Sequence, residues 1–157
     1  MPDPAYEIGA ILRNKGLSLG TVESATGGLI SHLITNVPGS SDYFKGAIVA
    51  YSNEIKIRLA GVKTTTLEKH GAVSAEVARE MAAGGRQALE VDVCISVTGI
   101  AGPTGATPEK PAGLFYIGIS TKTATSTHQY LFKGNREENK SRAARVALEW
   151  LYELLNY

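Results

Sequence analysis

The sequence predicts an α/β fold, a three-layer α/β/α domain on a mixed, mainly parallel sheet, and three observations predict it. Helical and strand-like patterns alternate through the first two-thirds of the chain, which is the order that builds parallel strands joined by crossover helices. The run Val91–Thr98 is apolar without interruption, as in a central strand covered on both faces. The last two strand patterns, Gly113–Ser120 and Ser126–Phe132, are separated only by the turn at Lys122-Thr123-Ala124, which makes them a hairpin and gives the sheet an antiparallel end.

Each element follows from local signals. Asp3-Pro4 stands ahead of Ala5, Ile8, Ile11 and Leu12, and Lys15-Gly16 follows, so a cap, a first-turn proline, an apolar stripe and a terminal glycine sit where a helix needs them. Residues 17–22 read as the first strand, with every second side chain facing water. A turn over Ser24–Gly28 leads into a helix from Gly28 to about Asn36, ended by Pro38-Gly39-Ser40-Ser41. Phe44–Tyr51 is the second strand. Ser52-Asn53-Glu54 then caps a short helix carrying Ile55, Leu59 and Ala60, which Gly61 closes. Thr65-Thr66-Leu67-Glu68 has the form of a capping box, and Ser74 caps the longer helix of Val77, Met81, Ala82, Gly85 and Leu89. The final helix carries Ala143, Val146, Ala147, Trp150, Leu151 and Leu154 on one stripe, with Trp150 as core.

Composition narrows the function. At 157 residues and 43% hydrophobic content, residues 1–157 are expected to form one domain with a core of its own. Sixteen basic against fifteen acidic residues leave a formal charge of +1, without the excess that nucleic-acid binding demands, so a small-molecule partner is expected. The single cysteine, Cys94, falls in the buried strand and can form no disulfide within the chain. His32, His70 and His128 lack metal-ligand spacing, so neither a metal nor a cofactor is expected. With no basic-then-apolar leader and no apolar run of membrane length, the expectation is a cytoplasmic protein without a membrane partner.

The chemistry concentrates in three loops that each follow a strand: Glu23–Gly28, Tyr51–Lys56 and Gly99–Gly105. Where parallel strands share a direction, such loops face one crevice. The first is a strand-to-helix turn with a glycine pair, where unpaired N–H groups at a positive helix end suit an anion or a developing oxyanion. Ser24, placed there, is either a helix cap or a nucleophile. Tyr51 and Lys56 add a phenol and an amine able to take and return a hydroxyl proton, the amine only if burial depresses its pKa. The third loop continues through Pro108 and Pro111 and is long for a compact domain, which suits a ligand-facing role. A dehydrogenase reading does not fit. Tyr51 and Lys56 are five apart rather than four, and Gly99-x-x-Gly102-x-x-Gly105 departs from the dinucleotide fingerprint. The spacing alone leaves a hydrolase and a nucleotide-binding module equally open.

Several motifs, in order, resemble the CinA C-terminal domain family, the nicotinamide mononucleotide deamidases: Glu23-Ser24-Ala25-Thr26-Gly27-Gly28, Tyr51-Ser52-Asn53-Glu54-Ile55-Lys56, Gly71-Ala72-Val73-Ser74, Thr98-Gly99-Ile100-Ala101-Gly102-Pro103 with Lys110-Pro111-Ala112-Gly113, and Gly134-Asn135-Arg136. The resemblance runs from about residue 5 to the end. It implies a stand-alone amidohydrolase of pyridine nucleotide salvage that converts nicotinamide mononucleotide to nicotinate mononucleotide and ammonia, without the molybdopterin-binding-like domain of longer members. Ser24, Tyr51 and Lys56 are then the catalytic set. Thr26, Gly27, Gly28, Asn53, Thr98, Gly99, Ala101, Gly102 and Arg136 bind substrate, and a homo-oligomer is expected. Two departures stand out: Ala25 occupies a position that is usually cysteine, and Asn135 and Lys140 replace an acid and a later arginine near the last helix. The alternative is a non-catalytic nucleotide-binding or scaffold domain using the same glycine loops. Because the three loops carry only Lys56 and Lys110 as cations, the substrate phosphate is expected to be met mainly by backbone N–H groups, supplemented by Arg136 or by Arg142 or Arg145.

Overall fold

A computed structural model of the chain describes residues 2–157. Helix α1 (Pro4–Lys15) starts where the Asp3 carboxylate accepts the Ala5 N–H and ends at Gly16, whose φ of 65° closes it. Strand β1 (Leu19–Glu23) leads through the glycine turn to α2 (Leu29–Thr35). After a 3-10 turn at Ser40–Asp42 come β2 (Phe44–Val49), α3 (Asn53–Ala60) and α4 (Thr64–His70). The rest follows as α5 (Ala75–Leu89), β3 (Val93–Gly99), β4 (Leu114–Ser120), β5 (Thr125–Leu131) and α6 (Arg136–Leu155).

The sheet has the strand order β2-β1-β3-β4-β5. β1 pairs in parallel with both β2 and β3, while β4 is antiparallel to β3 and β5 to β4. The loops after β1, β2 and β3 therefore open on one edge of the sheet, which is what brings distant residues together. Two apolar layers hold the helices. Leu19, Val93, Ile95 and Val97 pack with α1, α2 and α6, and Val22 and Cys94 pack with α3 and α5. Each such aliphatic side chain contributes roughly 1.5–3 kcal/mol when fully buried. Helix α5 lies very close to the sheet. A Cβ at Gly85 would fall 2.2 Å from Val22 Cγ2, so only glycine allows the approach.

The structure corrects several details. β1 begins at Leu19 and is buried along its whole length, not on alternate residues, because it lies between β2 and β3 with helices over both faces. The alternating strand is β2, at the sheet edge, and it ends at Val49. β3 starts two residues late because Asp92 is held outside the ladder, accepting from the Ser18 N–H and hydroxyl. The capping box expected at Thr65 is absent. α4 begins at Thr64 without a side-chain cap, and the Thr66 hydroxyl donates to Glu80 on α5 instead. Among the described residues, no helix is long and apolar enough to cross a membrane.

Candidate active site

Ser24 leaves β1 with its N–H donated to Val97 O of β3 and its carbonyl accepting the Gly27 N–H, which closes the turn. Gly27 and Gly28 have φ of 62° and 108°, a conformation that L side chains rarely adopt, so the turn needs this glycine pair. Lys56 comes from the first turns of α3, whose start is fixed by Ser52 Oγ accepting the Ile55 N–H. Its aliphatic stem runs inward, and the residue is only 2% exposed. Its Nζ donates to Ser24 Oγ at 2.9 Å and to the Tyr51 carbonyl at 3.2 Å. Among the described residues no carboxylate pairs with it. Burial without a counter-charge disfavours the ammonium and pulls the amine down to about 8. The pair is thus a hydroxyl held against an amine that loses its proton near neutral pH.

Tyr51 divides its groups. Its carbonyl faces Lys56, but the residue is 62% exposed and its phenol oxygen accepts from Arg136 Nη2 at 3.2 Å, so the hydroxyl meets neither Ser24 nor Lys56. Arg136, at the start of α6, also donates through Nη1 to Gly102 O at 2.9 Å. Asn139, 1% exposed, donates to Ala101 O and Gly134 O and accepts the Gly134 N–H. Helix α6 therefore suspends the glycine loop by two carbonyls.

These residues enclose an open cavity of about 320 Å³, within the range of small-ligand sites. Of the sequence-predicted residues, Ser24, Tyr51, Lys56, Asn53, Thr98, Gly99, Ala101 and Arg136 line it, joined by Ala25, Val73 and Gly105. The Thr98 hydroxyl is donated to Ala72 O. Gly102 does not line the cavity, and its carbonyl is held by Arg136. Thr26, Gly27 and Gly28 are not brought to this cavity. They line a separate hollow against His32, Glu137, Lys140 and Ser141.

The reason lies in Glu23. Fully buried at the end of β1, its Oε1 accepts from Thr26 Oγ1, Gly28 N–H and Ile30 N–H, and its Oε2 from the Ser31 N–H and hydroxyl. The anion expected at the helix end is thus the protein's own carboxylate, and those amides are not open to a ligand. Among the described residues the Ala25 and Thr26 N–H groups have no acceptor within the protein, nor do those of Ala101 and Gly102. The sequence reading missed Glu23 and Asn139. An acid ending an interior strand, with Thr26 and Ser31 close by, was the available signal for Glu23. For Asn139 it was a polar residue in phase with the apolar stripe through Ala143 and Ala147.

Comparison with known proteins agrees with this architecture. The model of the CinA C-terminal domain matches residues 3–155. A CinA-like protein of Leptospira borgpetersenii serovar Hardjo-bovis is 48% identical over 155 residues, covering 98% of this chain and 37% of its own length. A CinA-like protein of Chloroherpeton thalassium is 48% identical over 153 residues, covering 95% of this chain and 36% of its own. The chain thus spans less than two-fifths of the length of these curated relatives. The crystal structure of competence damage-inducible protein A (ComA) from Klebsiella pneumoniae subsp. pneumoniae matches with a TM-score of 0.95 and 30% identity, covering 98% of this chain and 96% of that one. With a family model spanning nearly every residue and these likenesses in sequence and fold, the chain belongs to the CinA C-terminal domain family.

Proposed function

We propose that the protein is an amidohydrolase that cleaves the carboxamide of nicotinamide mononucleotide, giving nicotinate mononucleotide and ammonia. The observation that carries this reading is the 2.9 Å contact between Ser24 Oγ and a buried Lys56 amine whose pKa lies at about 8. Neutral Lys56 takes the Ser24 proton as Oγ bonds to the carboxamide carbon. The Ala25 N–H, free of internal acceptors and beside Ser24 on the cavity wall, supplies a donor for the oxyanion, worth about 3 kcal/mol in such sites. Protonated Lys56 then gives its proton to the departing nitrogen, the C–N bond breaks, and ammonia leaves an acyl-enzyme. Water attacks that ester, passing a proton to Lys56, which returns it to Ser24.

The remaining groups suit the rest of the ligand. The exposed Tyr51 ring on the cavity wall offers a face to a cationic pyridinium. Arg136 has donors to spare for a phosphate, since among the described residues only two of its guanidinium N–H groups find acceptors. Incubation with the mononucleotide, read by mass spectrometry, tests the reading. Amide-to-acid conversion adds about 1 Da to the nucleotide. An unchanged nucleotide bound at the cavity would instead favour a non-catalytic binding domain.

A further inference from the structure

We infer that Glu23 is a positioning residue for the Ser24 reaction, an inference that rests on the proposed hydrolytic role of Ser24. Glu23 immediately precedes Ser24, and its carboxylate ties the strand end, the glycine turn and the start of α2 together. Its carboxylate takes five donors: the Thr26 hydroxyl at 2.6 Å, the Gly28 N–H at 3.2 Å, the Ile30 N–H at 2.9 Å, and the Ser31 N–H and hydroxyl at 2.9 and 2.6 Å. The Ser31 hydroxyl is linked in turn to Thr21 Oγ1 at 2.8 Å, which fastens the cluster to the strand. Gly28, the cap residue of α2, has no side chain to offer, so Glu23 does from a distance what a capping serine does locally.

The clamp sorts the backbone donors of the turn into two sets. Gly28, Ile30 and Ser31 turn their N–H groups inward to the carboxylate, and Ala25 and Thr26 keep theirs free of internal acceptors. Ala25 lines the catalytic cavity beside Ser24. Without a fixed carboxylate, the three inward N–H groups would lack a partner in a buried place, and the turn would relax to satisfy them. That relaxation would move the Ser24 hydroxyl relative to Lys56 and misdirect the free amides. Because Glu23 is fully buried and does not line the cavity, it acts on the reaction only through the turn.

Glu23→Gln tests this. One amide oxygen remains to accept, while the NH2 group points at donors, so the five-fold arrangement is broken at nearly constant volume. The expected result is a fall in kcat of roughly a hundredfold with KM for nicotinamide mononucleotide within about threefold of wild type, and an activity midpoint still near the Lys56 value. Labelling of Ser24 by a fluorophosphonate, in which Oγ bonds to phosphorus and fluoride leaves, should slow in parallel. Ser31→Ala removes one donor of the five, survives if Glu23→Gln does not fold, and should lower kcat about five- to tenfold with KM unchanged. Wild-type labelling rate and kcat in a folded Glu23→Gln, or a Ser31→Ala loss confined to KM, would overturn the inference. If wild type labels at Ser24 and the variant does not, yet neither hydrolyses the mononucleotide, the positioning role stands and the substrate reading falls.

Discussion

Lys56 Nζ lies 2.9 Å from Ser24 Oγ although the two residues are 32 apart in sequence, and the lysine that makes the contact is 2% exposed. The parallel pairing of β1 with β2 creates this relationship, because it carries the start of α3 to the same sheet edge as the turn after β1. With its pKa lowered to about 8 by burial, the amine is partly neutral under ordinary conditions.

Activity should accordingly rise with pH through a midpoint near 8, since only neutral Lys56 can accept the Ser24 proton, and fall as the amine protonates below it. Lys56→Arg should be nearly inactive across that range, because a guanidinium keeps its proton. Steady-state rates from mildly acidic to mildly alkaline pH check both expectations. A flat profile would exclude the amine as base.

The same burial has a stability consequence. Lys56 has a folded-state pKa of about 8 and an ordinary lysine value when unfolded, so between the two the unfolded chain binds more protons and stability increases with pH. Below the lower value the full cost of burying the ammonium applies. Relative to Lys56→Met, wild type should therefore gain about 2 kcal/mol from about pH 7 to about pH 10, a window in which the two denaturation curves converge. Parallel curves would mean that the amine carries no such penalty.

The fold was legible because its signals are local and repeated: Asp3, Ser52 and Ser74 cap as their spacing suggests, and Val93–Gly99 forms the central strand that its apolar run implied. The proximity of Ser24, Tyr51, Lys56 and the Gly99 loop followed from strand direction alone. Which group of each residue faces inward did not. Tyr51 presents its carbonyl to Lys56 and its hydroxyl to Arg136, a choice set by the backbone at the β2–α3 junction. Thr26 and Gly28 looked like ligand donors because sequence spacing does not reveal that Glu23 folds back onto them. Asn139 was hidden for the same reason, its partners lying 38 residues away in Ala101 and five away in Gly134.

With the Gly28, Ile30 and Ser31 amides committed to Glu23, the substrate phosphate is expected to depend on Arg136 more than the glycine content suggested. Arg136→Ala should weaken binding of nicotinamide mononucleotide by roughly tenfold to a hundredfold, and leave binding of the phosphate-free nucleoside within about threefold. Calorimetry on both ligands with both proteins gives the cycle. Equal losses for the two ligands would show that Arg136 serves only its Gly102 and Tyr51 contacts.

The central claim is that Ser24 is the nucleophile, and the most direct measurement is the deamidation rate of Ser24→Ala beside its affinity for nicotinamide mononucleotide. Loss of one hydroxyl at a polar cavity wall should leave folding and binding near wild type while turnover falls by at least about a thousandfold. Undiminished ammonia release from that variant would contradict the account.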